Sequence, residues 1–245
     1  FMQIPKVIKA VFLISGFVIS MSAAQSSPRA FFEGRVLRLV PAAWLCATIT
    51  LIVALSVHDG SVTSILMRYV RSMAFIPFGE QIDGAYWTLG IEISFYACVW
   101  FLLILRKWDY FLPFVCSLGL VSTGYNIAQY LADGHLFPNG RLVDLLLLRH
   151  GCAFAFGALV YMMSVHGHKW YMAAMSLVML VGVCFELPLQ FIAHLDGHYD
   201  AQRFLALYCV WGGSVVLFLA SVFYNDRILA VIPEAGRRFT RKIGI

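Results

Sequence analysis

Charged residues are scarce in this chain: they make up 13% of its 245 residues, whereas hydrophobic residues make up 61%. A water-soluble domain usually carries about 25% charged residues. The composition therefore excludes an ordinary soluble domain and indicates that a lipid bilayer surrounds much of the chain. Internal repeats and low-complexity tracts are lacking as well, and none of the six cysteines has C-x-x-C spacing. We expect one membrane domain over residues 1–245, incomplete at both ends, and no metal site.

Seven apolar runs are long enough to cross a bilayer, for which a helix needs roughly 20 residues. Only helices and closed barrels satisfy the backbone in lipid, and these runs are too long and continuous for barrel strands. The sequence therefore predicts an all-α polytopic transmembrane bundle with about seven spans. The runs are approximately Val7–Ala24, Leu39–Val57, Trp87–Leu105, Phe111–Leu131, Leu142–Met163, Trp170–Gln190 and Phe204–Phe223.

The distribution of lysine and arginine predicts the orientation of the bundle. Alternate loops are rich in these cations: residues 29–38, 106–107, 169 and the C-terminal stretch 227–242. Basic loops stay in the cytoplasm. We therefore expect a multi-pass membrane protein whose basic loops are cytoplasmic. This places the start of the third run, at Trp87, on the exterior side.

Glu92 is a carboxylate inside an apolar run, where a charged group costs at least about 2.5–3.5 kcal/mol on insertion scales. Thr88, Glu92 and Phe95 lie at helical spacing, so they share one face, which should point into the bundle or a cavity. The functional interpretation is a proton acceptor, a cation ligand or a residue that orients a catalytic partner. A buried Glu–Arg pair that joins two helices is the alternative.

Arg35 and Arg38 are three residues apart in the first basic loop, which ends at Pro41. On a helical turn we expect both guanidinium groups to face one way. Paired guanidinium groups suit phosphate, because their forks give bidentate charge-assisted hydrogen bonds. Anchoring to acidic lipid head groups is the simpler alternative.

Arg149 lies too deep in the fifth run to be a surface cation, and it is a candidate catalytic partner of Glu92 or of a substrate oxygen. The alternative is that Arg149 belongs to a structural ion pair. Arg141 and Asp144 lie just before Arg149 in the sequence, at pairing distance on a helix. Two histidines and two aspartates in residues 194–200 could bind a metal, but their glycine-containing context favours a solvated loop.

Three motifs in this order resemble the membrane acyltransferase family called acyltransferase-3. They are Ser15-Gly16-Phe17, then R-x-x-R-x-x-P from Arg35 to Pro41, then Trp87-Thr88-Leu89-Gly90-Ile91-Glu92-Ile93-Ser94-Phe95-Tyr96. Two further segments match the family pattern more weakly: Arg149 followed by Phe156-Gly157, and residues 242–245.

The resemblance implies a bundle of about ten helices in the cell inner membrane. It implies that this bundle passes an acyl group, commonly acetyl, from acyl-CoA to a carbohydrate or lipid-linked glycan across that membrane. It implies that acyl-CoA is the co-substrate and binds at Arg35 and Arg38, and that no cofactor is bound. It also implies that the protein lies in the lipid bilayer and has no nucleic-acid partner. Glu92 would serve the active-site cavity, with Trp87, Thr88, Tyr96 and Ser15 as candidate substrate-binding residues. In the family a histidine on the first helix acts as general base, and we expect that helix to precede Phe1.

Three other functions stay open at this point. A proton- or cation-coupled transporter would use Glu92 and Arg149 as its relay, and it predicts paired repeats with Gly- or Pro-broken helices. A seven-helix receptor matches the number of runs. An inactive remnant that only binds partners is the third. Nothing in the loops identifies the acceptor.

Overall fold

The computed structural model describes residues 4–57, 61–132, 136, 140–192 and 201–224. This part of the chain is helical and contains no strand, which confirms the predicted all-α class. A short 3₁₀ turn at Trp108–Tyr110 precedes α5. The α-helices are α1 (Ile4–Ala24), α2 (Pro28–Val57), α3 (Val62–Met73), α4 (Tyr86–Ile104), α5 (Phe111–Leu131), α6 (Arg141–Leu145), α7 (Gly151–His166), α8 (Trp170–Ile192) and α9 (Ala201–Phe223).

Five helices in the described part of the chain are long and apolar enough to cross a membrane: α2, α4, α5, α8 and α9. They coincide with five of the predicted runs. The other two runs correspond to shorter apolar helices, Lys9–Ala24 and Gly151–His166. The protein is thus a helical membrane protein, but the expected count of about seven spans is not confirmed.

Helix α2 begins at Pro28 rather than at Leu39, so the basic stretch predicted as a loop forms its first turns. The Ser27 hydroxyl accepts a hydrogen bond from the Ala30 N–H at 3.2 Å. Serine before the helix and proline at its first position is a strong start signal. The 30 residues of α2 extend over about 45 Å. The helix is therefore longer than a hydrocarbon core of roughly 30 Å.

Helix α3 follows α2 and runs back along it. The Trp44 indole N–H donates to the Met73 carbonyl at 3.1 Å, and the Thr48 and Tyr69 hydroxyls lie 3.2 Å apart. Helix α3 therefore packs on the bundle through α2.

Helix α7 occupies the centre of the bundle, and every residue from Gly151 to Met163 is buried. A helix that is apolar on every face is expected to be buried in this way. Helix α1 crosses it at two glycines. A Cβ on Gly157 would lie 1.9 Å from the Leu13 carbonyl oxygen, and one on Gly16 would lie 2.1 Å from the Phe154 carbonyl oxygen. The two backbones are therefore in direct contact, which only glycine permits.

We expect Gly157→Ala to lower the free energy of unfolding by about 3 kcal/mol, the upper part of the usual range for overpacking. The obstructing Leu13 oxygen belongs to the backbone, so no rotamer change relieves the clash. Gly124→Ala is the matched control, because a Cβ there meets nothing within 4 Å. Thermal unfolding of both variants in detergent checks this. Equal stability of the two variants would show that α1 and α7 are less tightly packed than these distances indicate.

The predicted fifth span is interrupted between α6 and α7. Leu147 is buried and has a φ of +60°, which an L-residue other than glycine rarely adopts. Polar side chains of α5 bind the freed backbone groups: the Asn126 amide donates to the Arg149 carbonyl at 3.0 Å, and the Ser122 hydroxyl accepts from the Cys152 N–H at 2.9 Å. Broken helices inside membrane proteins persist where such partners are present.

Candidate active site

Glu92 is half-buried on α4 and accepts two hydrogen bonds from side chains. The Ser15 hydroxyl of α1 donates to Oε1 at 2.8 Å, and the Tyr96 hydroxyl donates to Oε2 at 3.3 Å. Each carboxylate oxygen of Glu92 therefore has one side-chain donor. Two of the predicted substrate-binding residues thus meet the predicted catalytic glutamate directly.

Arg35 extends this arrangement toward the start of α2. Its guanidinium carbon lies 5.4 Å from the Tyr96 ring centroid and 5.2 Å from that of Phe31, within cation–π range. Arg35 is buried, whereas Arg38 is exposed. Three helical residues leave the two side chains about 60° apart, so they are neighbours on one face of α2, with Arg35 at its buried edge and Arg38 at its exposed edge. We call Ser15, Arg35, Glu92 and Tyr96 the Glu92 network.

A second polar group, the His150 cluster, consists of Lys9, Asp144, Arg149, His150 and Glu186. The Lys9 ammonium binds the Glu186 carboxylate and lies 2.8 Å from His150 Nδ1, which is 2.6 Å from Glu186 Oε1. Asp144 Oδ1 lies 3.3 Å from Arg149 Nη1 and 3.5 Å from His150 Nε2. Lys9, His150 and Glu186 are fully buried.

The break before α7 assembles this cluster. It places Asp144, Arg149 and His150 beside Lys9 of α1 and Glu186 of α8. With a neutral imidazole, two cations balance two carboxylates, which is the condition under which buried charges are tolerated.

The remaining predicted residues have separate contacts. The Trp87 ring packs on the His150 ring with centroids 5.7 Å apart. The Thr88 hydroxyl donates to the Ala85 carbonyl at 2.8 Å, within its own helix turn. Asp144 forms its ion pair with Arg149 and not with Arg141, because the turn after α6 brings Arg149 back beside Asp144. The histidine- and aspartate-containing segment 194–200 lies outside the described residues.

A family model for an acyltransferase domain, acyltransferase-3, matches residues 12–238. The chain belongs to the acyltransferase-3 family. The match covers the Glu92 network and all of the His150 cluster except Lys9. No curated protein and no solved structure matches this acyltransferase-3 chain.

Sequence reasoning missed Lys9 and Glu186 in this acyltransferase-3 protein. Both lie inside predicted apolar runs, Val7–Ala24 and Trp170–Gln190, where the argument applied to Glu92 applies equally. Their charges alone could therefore have marked them as buried partners. Their pairing, across 177 residues of chain, requires the three-dimensional structure.

Proposed function

We propose that this protein transfers an acyl group, most commonly acetyl, from acyl-CoA to a hydroxyl of a cell-surface carbohydrate or related acceptor. The observation that carries the proposal is the Glu92 network. It is a run of polar side chains from Arg35, in the first turns of α2, to Glu92 and Ser15 within an otherwise apolar bundle. Membership in the acyltransferase-3 family supports the same reaction class.

Acyl transfer to a hydroxyl requires a base that removes the hydroxyl proton and donors that stabilise the developing oxyanion. In the proposed reaction the Glu92 carboxylate accepts that proton or orients the group that does. Ser15 and Tyr96 hold the carboxylate in place, as each donates to one of its oxygens. The acyl carbonyl is attacked by the acceptor oxygen, and CoA leaves as its thiol after taking up the proton.

The proposed orientation places Arg35 and Arg38 at the cytoplasmic face of the inner membrane, where acyl-CoA is present. Arg35 is fixed between two rings, and Arg38 is accessible on the surface. In this proposal the guanidinium groups bind the phosphates of the donor. The acceptor then approaches from the opposite, exterior end, where α4 begins at Tyr86.

The double variant Arg35→Ala/Arg38→Ala is expected to weaken acetyl-CoA binding about 100-fold at low ionic strength. Each lost charge-assisted hydrogen bond is worth roughly 1.5–3 kcal/mol. The difference from wild type should shrink as salt is added, because screening reduces the contribution of exposed charges. Binding of acetyl-CoA to the full-length protein in nanodiscs, titrated at several salt concentrations, measures this.

Arg29→Ala is the control for this experiment, because Arg29 lies on the same helix but forms an exposed ion pair with Glu33 at 2.7 Å. It should bind acetyl-CoA as wild type does. If the double variant also binds normally at every ionic strength, the two arginines only anchor α2 to acidic lipid and have no role in donor binding.

A further inference from the structure

A cavity of about 470 Å³ opens at the Trp87 end of the bundle, separate from the Glu92 network. Small-molecule sites typically occupy roughly 300–1,000 Å³. The cavity is formed where α3, the segment before α4, the first turn of α4 and the start of α6 meet. The side chains that line it are Arg68, Glu80, Gln81, Asp83, Trp87 and Arg141.

The segment that forms one wall of the cavity is held in place by hydrogen bonds. The Ile82 N–H donates to the Ser72 hydroxyl at 2.9 Å, and the Gln81 side-chain amide donates to the Ile76 carbonyl at 3.2 Å. Gly79 has a φ of +82°, and a Cβ there would lie 2.8 Å from a guanidinium nitrogen of Arg71. A wall fixed before binding reduces the entropy lost when a ligand is bound.

The lining is polar and balanced in charge. Two arginines face two carboxylates, and Arg68 Nη2 already pairs with Glu80 Oε2 at 2.5 Å. A polyphosphate would need an excess of cations, and an acyl chain would need an apolar wall. Sugar hydroxyls both donate and accept hydrogen bonds, which suits mixed carboxylate, amide and guanidinium groups. The Trp87 indole supplies an aromatic face on which the apolar side of a sugar ring can pack.

The same tryptophan connects the cavity with the interior of the bundle. Its ring packs on His150 of the buried cluster. Glu92 follows five residues later on α4, about 7.5 Å further along the helix axis. A sugar placed over Trp87 would therefore lie within about two helical turns of Glu92, although on a different face of α4.

We propose that this cavity binds the sugar unit of the acceptor, with Trp87 as its platform and Glu80, Gln81 and Arg141 as hydroxyl-binding groups. The inference rests on the proposed acyl transfer for its role, but binding can be measured without that reaction. The site selects a hydroxyl-rich, uncharged saccharide surface and excludes the acyl donor.

Saturation-transfer NMR with methyl β-glucoside and methyl β-galactoside tests the proposal on the full-length protein in nanodiscs. Wild type should transfer saturation to the ring protons. The double variant Glu80→Gln/Gln81→Ala should bind at least tenfold more weakly, and so should Arg141→Ala, which alters a different element. The matched control is Glu33→Gln/Gln25→Ala, at the opposite end of the bundle, where Glu33 also forms an exposed ion pair with an arginine.

Absence of saturation transfer in wild type would overturn the saccharide site, as would equal binding by the cavity variants and the control. Thermal unfolding of each variant excludes misfolding as the cause of lost binding. Glycoside binding in a protein that transfers no acetyl group would retain the site and contradict the proposed function. Acetyl transfer whose dependence on acceptor concentration is unchanged in Arg141→Ala would contradict the site alone.

Discussion

Replacing Glu92 by glutamine in the full-length protein is expected to reduce acyl transfer by roughly 10²- to 10⁴-fold, the contribution usual for general acid–base catalysis. Glutamine has nearly the same shape and can still accept a hydrogen bond from Ser15, so the packing of α1 on α4 should persist. It cannot accept a proton, nor can its amide nitrogen accept the hydrogen bond from Tyr96. The initial rate of acetyl transfer in isolated membranes measures the effect.

Glu33→Gln is the control, because Glu33 is an exposed glutamate at the start of α2 whose partner is Arg29. It should retain the wild-type rate. Membrane insertion and thermal stability of Glu92→Gln should also match wild type, which separates loss of chemistry from loss of fold. Product formation at the full rate would remove Glu92 from the mechanism and leave it as a structural residue that joins α1 and α4.

The second large effect is expected from Lys9→Met, which should lower the free energy of unfolding by about 3–5 kcal/mol, the usual result of removing one partner of a buried ion pair. Methionine fills most of the space of the lysine stem. The Glu186 carboxylate then stays fully buried beside His150 but loses its ammonium counter-ion. Thermal and denaturant unfolding in detergent measure the loss.

Adding Glu186→Gln to Lys9→Met should restore most of this stability, because the pair of charges is then removed together. Lys107→Met, at an exposed lysine between α4 and α5, serves as the control and should unfold as wild type does. If Lys9→Met alone is as stable as this control, the His150 cluster does not hold α1 to α8 through charge. Non-additivity of the two changes is the direct measure of their coupling.

The helix positions were largely predictable from sequence, because hydrocarbon requires long apolar runs and those runs are easily seen. The predicted Phe111–Leu131 agrees with α5 at both ends, and α4 differs from its prediction by one residue at each end. The start of α2 was misplaced, because the basic residues at its beginning were interpreted as a loop. The Ser27-Pro28 start signal was present and went unused.

The break between α6 and α7 could not be predicted from local sequence. It falls in a run of four leucines, which favour helix, and it contains neither glycine nor proline. Leu147 adopts its positive φ in a buried position, where α5 satisfies the backbone. The transporter alternative predicts broken helices in paired repeats, and this break supplies one broken helix. The lack of internal repeats still opposes that alternative.

The candidate site was predictable in its residues and not in their partners. Glu92, Ser15, Tyr96 and Arg35 were each identified from motif or charge, and the structure brings them together. Arg149 was interpreted either as a partner of Glu92 or of a substrate oxygen, or as part of a structural ion pair, and its ion pair is with Asp144 in the His150 cluster. Which partner each side chain contacts depends on how helices distant in sequence pack against one another, and hydropathy does not encode that packing.

The most direct test of the proposed acyl transfer is the fate of the acetyl group of radiolabelled acetyl-CoA supplied to membranes that contain the full-length protein. We expect label to appear on carbohydrate as a base-labile ester, to require Glu92, and to be accompanied by release of an equal amount of free CoA. Label that remains on acetyl-CoA, or that appears on carbohydrate equally with Glu92→Gln, would contradict acyl transfer by Glu92.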